Sequence, residues 1–264
     1  MESNIYTLVK ASVKKIYNID LSYYKDEQMK RRLDSWLART RQPSWHEYFH
    51  FMKDNLVEQD RFRNYLTINV TEFFRDPERW NMLRRDIIPD LMKDASHSQL
   101  RKGLRVWSAG CSIGVEAYTL TILLDEIAPT QNHYVLATDM DRGALQKARA
   151  RGPYNQDEVR NLTAEQKQKY LMPGPPYLVK EAIAKRITYK EQDLLNDPFE
   201  PGLDLIVCRN VIIYFTNEAK AMLYDKFYGA LRPGGILFLG GTEIIPRPTE
   251  IGFQNHGISF YLKA

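Results

Sequence analysis

The sequence predicts an α/β protein: a doubly wound, mostly parallel sheet, preceded by a small all-helical domain and interrupted by a small β-containing insert. Three observations carry this prediction. Residues 1 to about 66 show helical periodicity with no strand signal, whereas from residue 104 onward short apolar runs alternate with helical ones, the pattern of a parallel sheet covered on both faces. In that second half, polar and charged residues also recur where each apolar run ends.

The helical part reads as a periodic run over 4 to 17 and a second over about 26 to 41. A third run is opened by the Ser44-Trp45-His46-Glu47 capping box, and a fourth spans 57 to 66. Asp76-Pro77-Glu78 starts a helix running to about Lys93, and DASHSQLRKG (94 to 103) is a polar linker. The alternating part comprises LRVWSA, a helix from 115 to 128, HYVLATD, a helix from 141, RITYKEQD, LDLIVC, a helix from 216 to 230, and GILFLGG. GISFYLKA is expected to return as an edge strand. Residues 151 to about 190 hold an insert, broken by Pro and Gly up to about 185, expected to carry one helix and a short hairpin. The domain reading is therefore 1–75 helical, 76–103 helix and linker, and 104–264 α/β with the insert.

Composition narrows the function. The 264 residues are 44% hydrophobic and 27% charged, without an apolar run near the ~20 residues of a membrane span. The opening stretch MESNIYTLVKASVKK lacks a signal-peptide core, so a cytoplasmic location is expected. The two cysteines, Cys111 and Cys208, both end strand-like runs and fit a reducing compartment. With five scattered histidines they give no metal site. A net charge of +4 is too mild to argue for nucleic acid.

VWSAGCSIGVEAY (106 to 118) runs from strand through a small-residue turn into a helix. Gly110-Cys111-Ser112-Ile113-Gly114 matches a nucleophile elbow, yet the required later acid and histidine are poorly supplied, with only His256 near the end, and an upstream oxyanion loop is missing. No Gly-Lys-Ser/Thr follows, which excludes a P-loop. A pyrophosphate cofactor wants closely approaching glycine amides, and only Gly110 and Gly114 are offered. S-adenosylmethionine, a nucleoside cofactor without phosphate, fits better. In a parallel sheet its site lies at the carboxyl ends of the strands. The residues there are Ala109-Gly110 with Glu116, then Asp139, Asp193-Leu194, and Cys208-Arg209-Asn210 with Tyr214 further along.

Asn69-Val70-Thr71-Glu72-Phe73-Phe74-Arg75, WSAGCSIGVEAY, ATDMD, CRNVIIYF and LRPGGILFLGGTE occur in that order. The chain thereby resembles the CheR family of chemotaxis receptor methyltransferases over nearly its whole length. The resemblance implies S-adenosylmethionine-dependent methylation of glutamates on cytoplasmic chemoreceptor helices, giving methyl esters. It assigns Arg75 and Tyr214 to the reacting centre, Asn69 and Thr71 to the methionine moiety or its surroundings, Glu116 to the cofactor's amino-acid end, Asp139 to the ribose, Asp193 and Leu194 to the adenine, and Arg209 and Asn210 to the pocket wall. Taken singly, several of these have plainer readings: Asp139 as a helix cap, Glu116 as a dipole partner, Asp193 as a turn former, Tyr214 as core and Arg75 as a surface charge. Their order on successive strand ends favours the site.

Over residues 25 to 41, Met29, Leu33, Trp36 and Leu37 form an apolar stripe, flanked by an arc of Lys25, Arg31, Arg32 and Arg39. That arc is either a solvated face or the docking surface for glutamate-rich receptor helices, as the resemblance implies. A nucleic-acid methyltransferase is disfavoured, because neither an Asn/Asp-Pro-Pro-aromatic motif nor a Pro-Cys loop is present. A non-catalytic cofactor-sensing module is a further alternative, which Arg75 and Tyr214 argue against. A monomer is expected, and the short MPGPPYLV segment suggests recognition without a receptor tether.

Overall fold

The computed structural model describes residues 1–67, 71–97 and 103–264, which divide into two compact units. The first comprises Met1–Ile68 with Ile212–Ala221, and the second Asn69–Val211 with Met222–Ala264.

In the first unit, helices α1 (Ser3–Tyr17), α2 (Asp26–Thr40), α3 (Trp45–Met52) and α4 (Leu56–Leu66) close over an aromatic core. Tyr48 and Phe62 are fully buried, their centroids 5.4 Å apart in an edge-to-face contact, and Trp36 stacks on Phe62 at 5.5 Å. Ser44 caps α3 by accepting from the Glu47 amide. The later segment is joined to this unit by two backbone bonds, Lys25 N to Tyr214 O at 3.0 Å and Thr216 N to Tyr23 O at 2.9 Å.

The second unit opens with α5 (Pro77–Met82), a π-turn over Leu83–Ile87 and α6 (Ile88–His97). The single helix expected here is thus interrupted. Pro89 has no amide to donate and crowds the preceding turn, and the wider π-turn accommodates it. Strands β1 (Arg105–Ala109), β2 (Tyr134–Asp139), β3 (Ile187–Glu191), β4 (Leu203–Cys208), β5 (Leu231–Leu239), β6 (Phe253–Asn255) and β7 (Phe260–Lys263) form one sheet in the order β3-β2-β1-β4-β5-β7-β6. The first five are parallel, and β7 is antiparallel to both of its neighbours. Helices α7 (Val115–Ile127), α8 (Arg142–Arg149), α11 (Asn217–Ala230) and the short α12 (Pro248–Ile251) complete the alternation, after α9 (Ala164–Tyr170) and α10 (Glu181–Ala184) in the insert. β4 is buried along its whole length, as a central parallel strand must be.

Two expectations are corrected. GISFYLKA is not the edge: β7 lies between β5 and β6, and Phe260 and Tyr261 are buried, while the edge strand β6 exposes Gln254 and Asn255. Within the insert the expected hairpin reduces to two isolated bridges, Tyr154 with Tyr177 and Leu171 with Val179, beside two helices rather than one. Pro173, Pro175 and Pro176 remove the amides that a ladder needs. The insert is instead anchored by polar bonds: buried Asp125 of α7 receives Lys169 (3.0 Å), Arg186 (2.8 Å) and the Tyr170 hydroxyl (3.0 Å). Burial opposes ionisation of Asp125, but these donors prevail and hold its carboxyl below the usual range.

Arg209, just past β4, is 6% exposed. Its guanidinium donates to the Arg75 carbonyl at 2.9 Å and to the Asp76 carboxylate, between the rings of Trp80 (5.6 Å) and Phe238 (4.9 Å). Arg209→Ala is expected to cost about 2–3 kcal/mol, because it removes the Asp76 partner and one of the two donors to the Arg75 carbonyl, the Trp80 indole N–H being the other, and opens a cavity between Trp80 and Phe238. An unchanged urea midpoint would show that the segment holds without it.

Candidate active site

The sheet reverses its winding between β1 and β4, and the crevice outside their carboxyl ends is where such folds bind ligands. After β1 the chain turns sharply. The amides of Gly110 and Cys111 both donate to the Thr138 carbonyl, at 2.8 and 2.9 Å, so the turn wraps over the end of β2. Both glycines are required: each has positive φ, and a Cβ at Gly110 would lie 2.6 Å from a Val211 methyl, one at Gly114 2.7 Å from the Ala148 Cβ. Ser112 is buried at φ 49°, with its amide held by Asp139, a poor position for an exposed nucleophile.

Glu116, in the first turn of α7, accepts from the Ser108 hydroxyl at 2.8 Å. Burial pushes its carboxyl up to about 7. Arg209, Ser108 and Arg75 act in the opposite sense, and Glu243 adds to the rise. Arg75, Glu116 and Arg209 are thus close enough to sense one another's charge. Asp139 ends β2 with both oxygens engaged, Oδ2 by the Ser112 amide and Oδ1 by the Asp141 amide, each at 2.8 Å. Burial raises its pKa to about 6 against the pull of those amides. Helix α8 is capped by Asp141, whose Oδ1 accepts from the Ala144 amide, so Asp139 does not serve as that cap.

Asp193 shapes the turn after β3: Oδ1 accepts from the Leu195 amide and Oδ2 from the Asn196 side chain. Leu194 is buried, and its carbonyl accepts from Lys226 at 2.6 Å. Asn210 holds φ 60°, with its amide on the Glu243 carboxylate at 2.8 Å. Arg209 is committed to the Arg75 carbonyl and Asp76, so it braces the wall rather than facing a ligand. Asn69 lies outside the described residues, and Thr71 is partly buried. Residues 71–76 are irregular, with Phe74 and Asp76 at positive φ. Phe73 is fastened to the insert by its amide on Glu158 O (2.9 Å) and its carbonyl on Asn161 (3.1 Å). The insert's Tyr154 also donates to Ile113 O at 2.7 Å, supporting the glycine turn from behind. Tyr154 and Glu243 were missed as site-supporting residues; Glu243 stands four residues after β5, where the strand-end rule points.

Tyr214 lies in the first unit, in the 3-10 turn Ile212–Tyr214, near enough to Arg32 to support its charge. Arg32 itself is not available for docking. Its guanidinium donates to the carbonyls of Tyr65 and Thr67 and lies over the Tyr65 ring at 4.4 Å, and burial draws its pKa down. Arg31 and Arg39 are exposed, while Lys25 is half-buried ahead of α2. A cleft of about 590 Å³ of mixed polar and apolar lining, with Phe74, Pro77, Arg84, Glu126, Thr163 and Tyr170 among its residues, opens on the side of the 71–76 segment toward the far end of α7. Glu126 is ten residues along α7 from Glu116, roughly 15 Å at 1.5 Å per residue, and it pairs with Arg84.

A carboxylate at the first turn after β1, another at the end of β2 and close glycine approach without a phosphate cradle fit an amino-acid nucleoside. The fold and the crevice are those in which S-adenosylmethionine-dependent methyltransferases bind their cofactor. Residues 69–261 match the family model described as CheR methyltransferase, SAM binding domain, and residues 5–67 the CheR methyltransferase all-alpha domain. The chain belongs to the CheR methyltransferase family. It is 38% identical over 252 residues to a chemotaxis protein methyltransferase of Listeria innocua, covering 95% of this chain and 94% of the other. It is 33% identical over 242 residues to that of Escherichia coli, covering 85% and 79%. The protein is an S-adenosylmethionine-dependent methyltransferase of chemotaxis.

The raised carboxyls set a pH dependence. A carboxyl whose folded pKa lies above its unfolded value stabilises the ligand-free fold below about pH 4, and this contribution is lost as pH rises through about 6 for Asp139 and 7 for Glu116. Binding a ligand ammonium and hydroxyls favours the ionised forms. S-adenosylhomocysteine affinity is therefore expected to rise from pH 5.5 to 7.5 with proton release. Calorimetric heats at pH 6.5 that do not vary with buffer ionisation enthalpy would remove both carboxylates from the ligand.

Proposed function

We propose that the protein methylates glutamate side chains on cytoplasmic helices of chemoreceptors, forming glutamate methyl esters in the cytoplasm. What supports this reading is membership of the CheR methyltransferase family together with a guanidinium, Arg75, within electrostatic reach of Glu116 in the first turn after β1: the first is suited to a carboxylate acceptor, the second to the cofactor's ammonium. Bound S-adenosylmethionine supplies a methyl group activated by its sulfonium. A substrate glutamate, with a pKa of about 4.3, is already ionised near neutral pH, so no residue has to remove a proton. One carboxylate oxygen forms the new bond to carbon as the carbon–sulfur bond breaks, and the electron pair stays on sulfur.

The chain's own work is to hold and desolvate. Arg75 orients the acceptor through its fork, Glu116 takes the amino-acid end, and Asp139 faces the ribose hydroxyls while its backbone bonds keep it fixed. Asp193 and Leu194 border the adenine, with Thr71 toward the methionine moiety. Tyr214 is assigned to the methyl by family resemblance. Its hydroxyl or ring can flank a sulfonium.

Incubation with methyl-labelled S-adenosylmethionine and receptor cytoplasmic fragments tests the reading: label should enter the receptor and leave as methanol in mild base. Stable label, or none, would overturn it. Arg75→Ala should lower kcat by about 100-fold, the scale for losing one charged donor at a reacting centre, with the urea midpoint nearly unchanged. Full turnover would return Arg75 to a structural role.

Docking falls to Arg31 and Arg39, with Lys25 beside them, because Arg32 is occupied within its own unit. Arg31→Glu with Arg39→Glu should raise the receptor KM and flatten its salt dependence. About 0.2–1 kcal/mol per exposed charge is expected, and the cofactor KM should stay fixed. Wild-type receptor kinetics at low salt would place docking on another surface.

A further inference from the structure

The turn after β5 carries a buried carboxylate that the reaction itself does not require. Glu243 is 4% exposed. Its Oε2 accepts from two backbone amides on different loops, Asn210 N at 2.8 Å and Gly240 N at 2.7 Å, while its own amide donates back to Gly240 O at 2.9 Å. Gly240 leaves room for this: a Cβ there would lie 2.5 Å from Glu243 Oε2 and 3.0 Å from Asn210 N. Downstream, the turn is fixed by Ile245 N donating to the Tyr261 hydroxyl at 3.1 Å.

The clamp reaches the crevice in one step. Asn210 is held at φ 60°, and the next residue, Val211, touches Gly110 so closely that only glycine fits below it. Glu243 therefore sets the position of the loop after β4 over the turn after β1, the two loops that flank the switch point. Charge strengthens both amide bonds, and the buried setting removes competing water.

We propose that Glu243 is a positioning residue for the cofactor crevice: by holding Asn210 and Gly240 from one oxygen it preorganises the β4 wall against which S-adenosylmethionine binds. This rests on the strand-end reading of the cofactor site. Two near-isosteric variants separate position from charge. Glu243→Asp keeps the charge but is one methylene too short to reach both amides. Glu243→Gln keeps the length and offers one oxygen for both.

Titration calorimetry with S-adenosylhomocysteine, well below each variant's unfolding temperature, should show Glu243→Asp weaker by about tenfold or more and Glu243→Gln within about threefold of wild type. Wild-type affinity in Glu243→Asp, or equal losses in both variants, would overturn the proposal; a purely structural role would lower the unfolding temperature and leave the affinity of the folded protein unchanged. Amide hydrogen exchange on the ligand-free wild type decides the matter even if the Asp variant fails to fold: Asn210 and Gly240 must already be protected, and fast exchange there sinks the clamp. A wild type that bound no S-adenosylhomocysteine would instead refute the strand-end site, with the exchange result still reporting on the clamp.

Discussion

The strand-end crevice depends on one buried guanidinium. Arg209 leaves the end of β4 and fastens the irregular segment that carries Arg75, through the Arg75 carbonyl and the Asp76 carboxylate. That segment has no ladder or helix to hold it. It contains two residues at positive φ, and such backbone persists only where surrounding contacts over-determine it. A lysine offers a single point of attachment, whereas the planar fork of arginine bonds two groups while its faces lie against Trp80 and Phe238.

The same solution recurs around the crevice. Asp139 holds the amides of Ser112 and Asp141, Glu243 holds those of Asn210 and Gly240, and Asp193 takes the Leu195 amide. Each loop that leaves the sheet must turn within a few residues, which strands its amides without helical or strand partners. Carboxylates at the strand ends satisfy them at close range. Asp139 and Glu116 carry the cost of desolvation in raised pKa values. The insert contributes from the other side: Tyr154 supports the glycine turn, and Glu158 and Asn161 fix Phe73. A segment whose sequence reads as a Pro-broken excursion is therefore a brace for the site.

What could be read in the sequence followed from period and position. The strand and helix alternation, the capping residue Ser44 and the strand-end acids were legible because each is a local consequence of backbone geometry. Where the reading failed, the deciding partner lay far away in sequence. Arg32 shares its helical arc with Arg31 and Arg39, yet its guanidinium meets carbonyls 33 and 35 residues on. β7 looks like a terminal strand, but it lies inside the sheet because β6 pairs along its outer side. Glu243 fell where the strand-end rule would have found it, one strand beyond the last one searched for acids.

By itself the sequence determined the α/β class, the all-helical leading segment and the ordered motifs of a CheR methyltransferase, because these depend on spacings of a few residues to a few turns. Only the tertiary structure decided which charged side chains are committed to holding the backbone. Arg75 and Arg209 are both arginines beside strand-end motifs, and Arg31 and Arg32 are neighbours on one helix. A guanidinium's role is fixed by which carbonyls, rings and carboxylates folding brings within about 3–5 Å of it, and those partners come from distant parts of the chain.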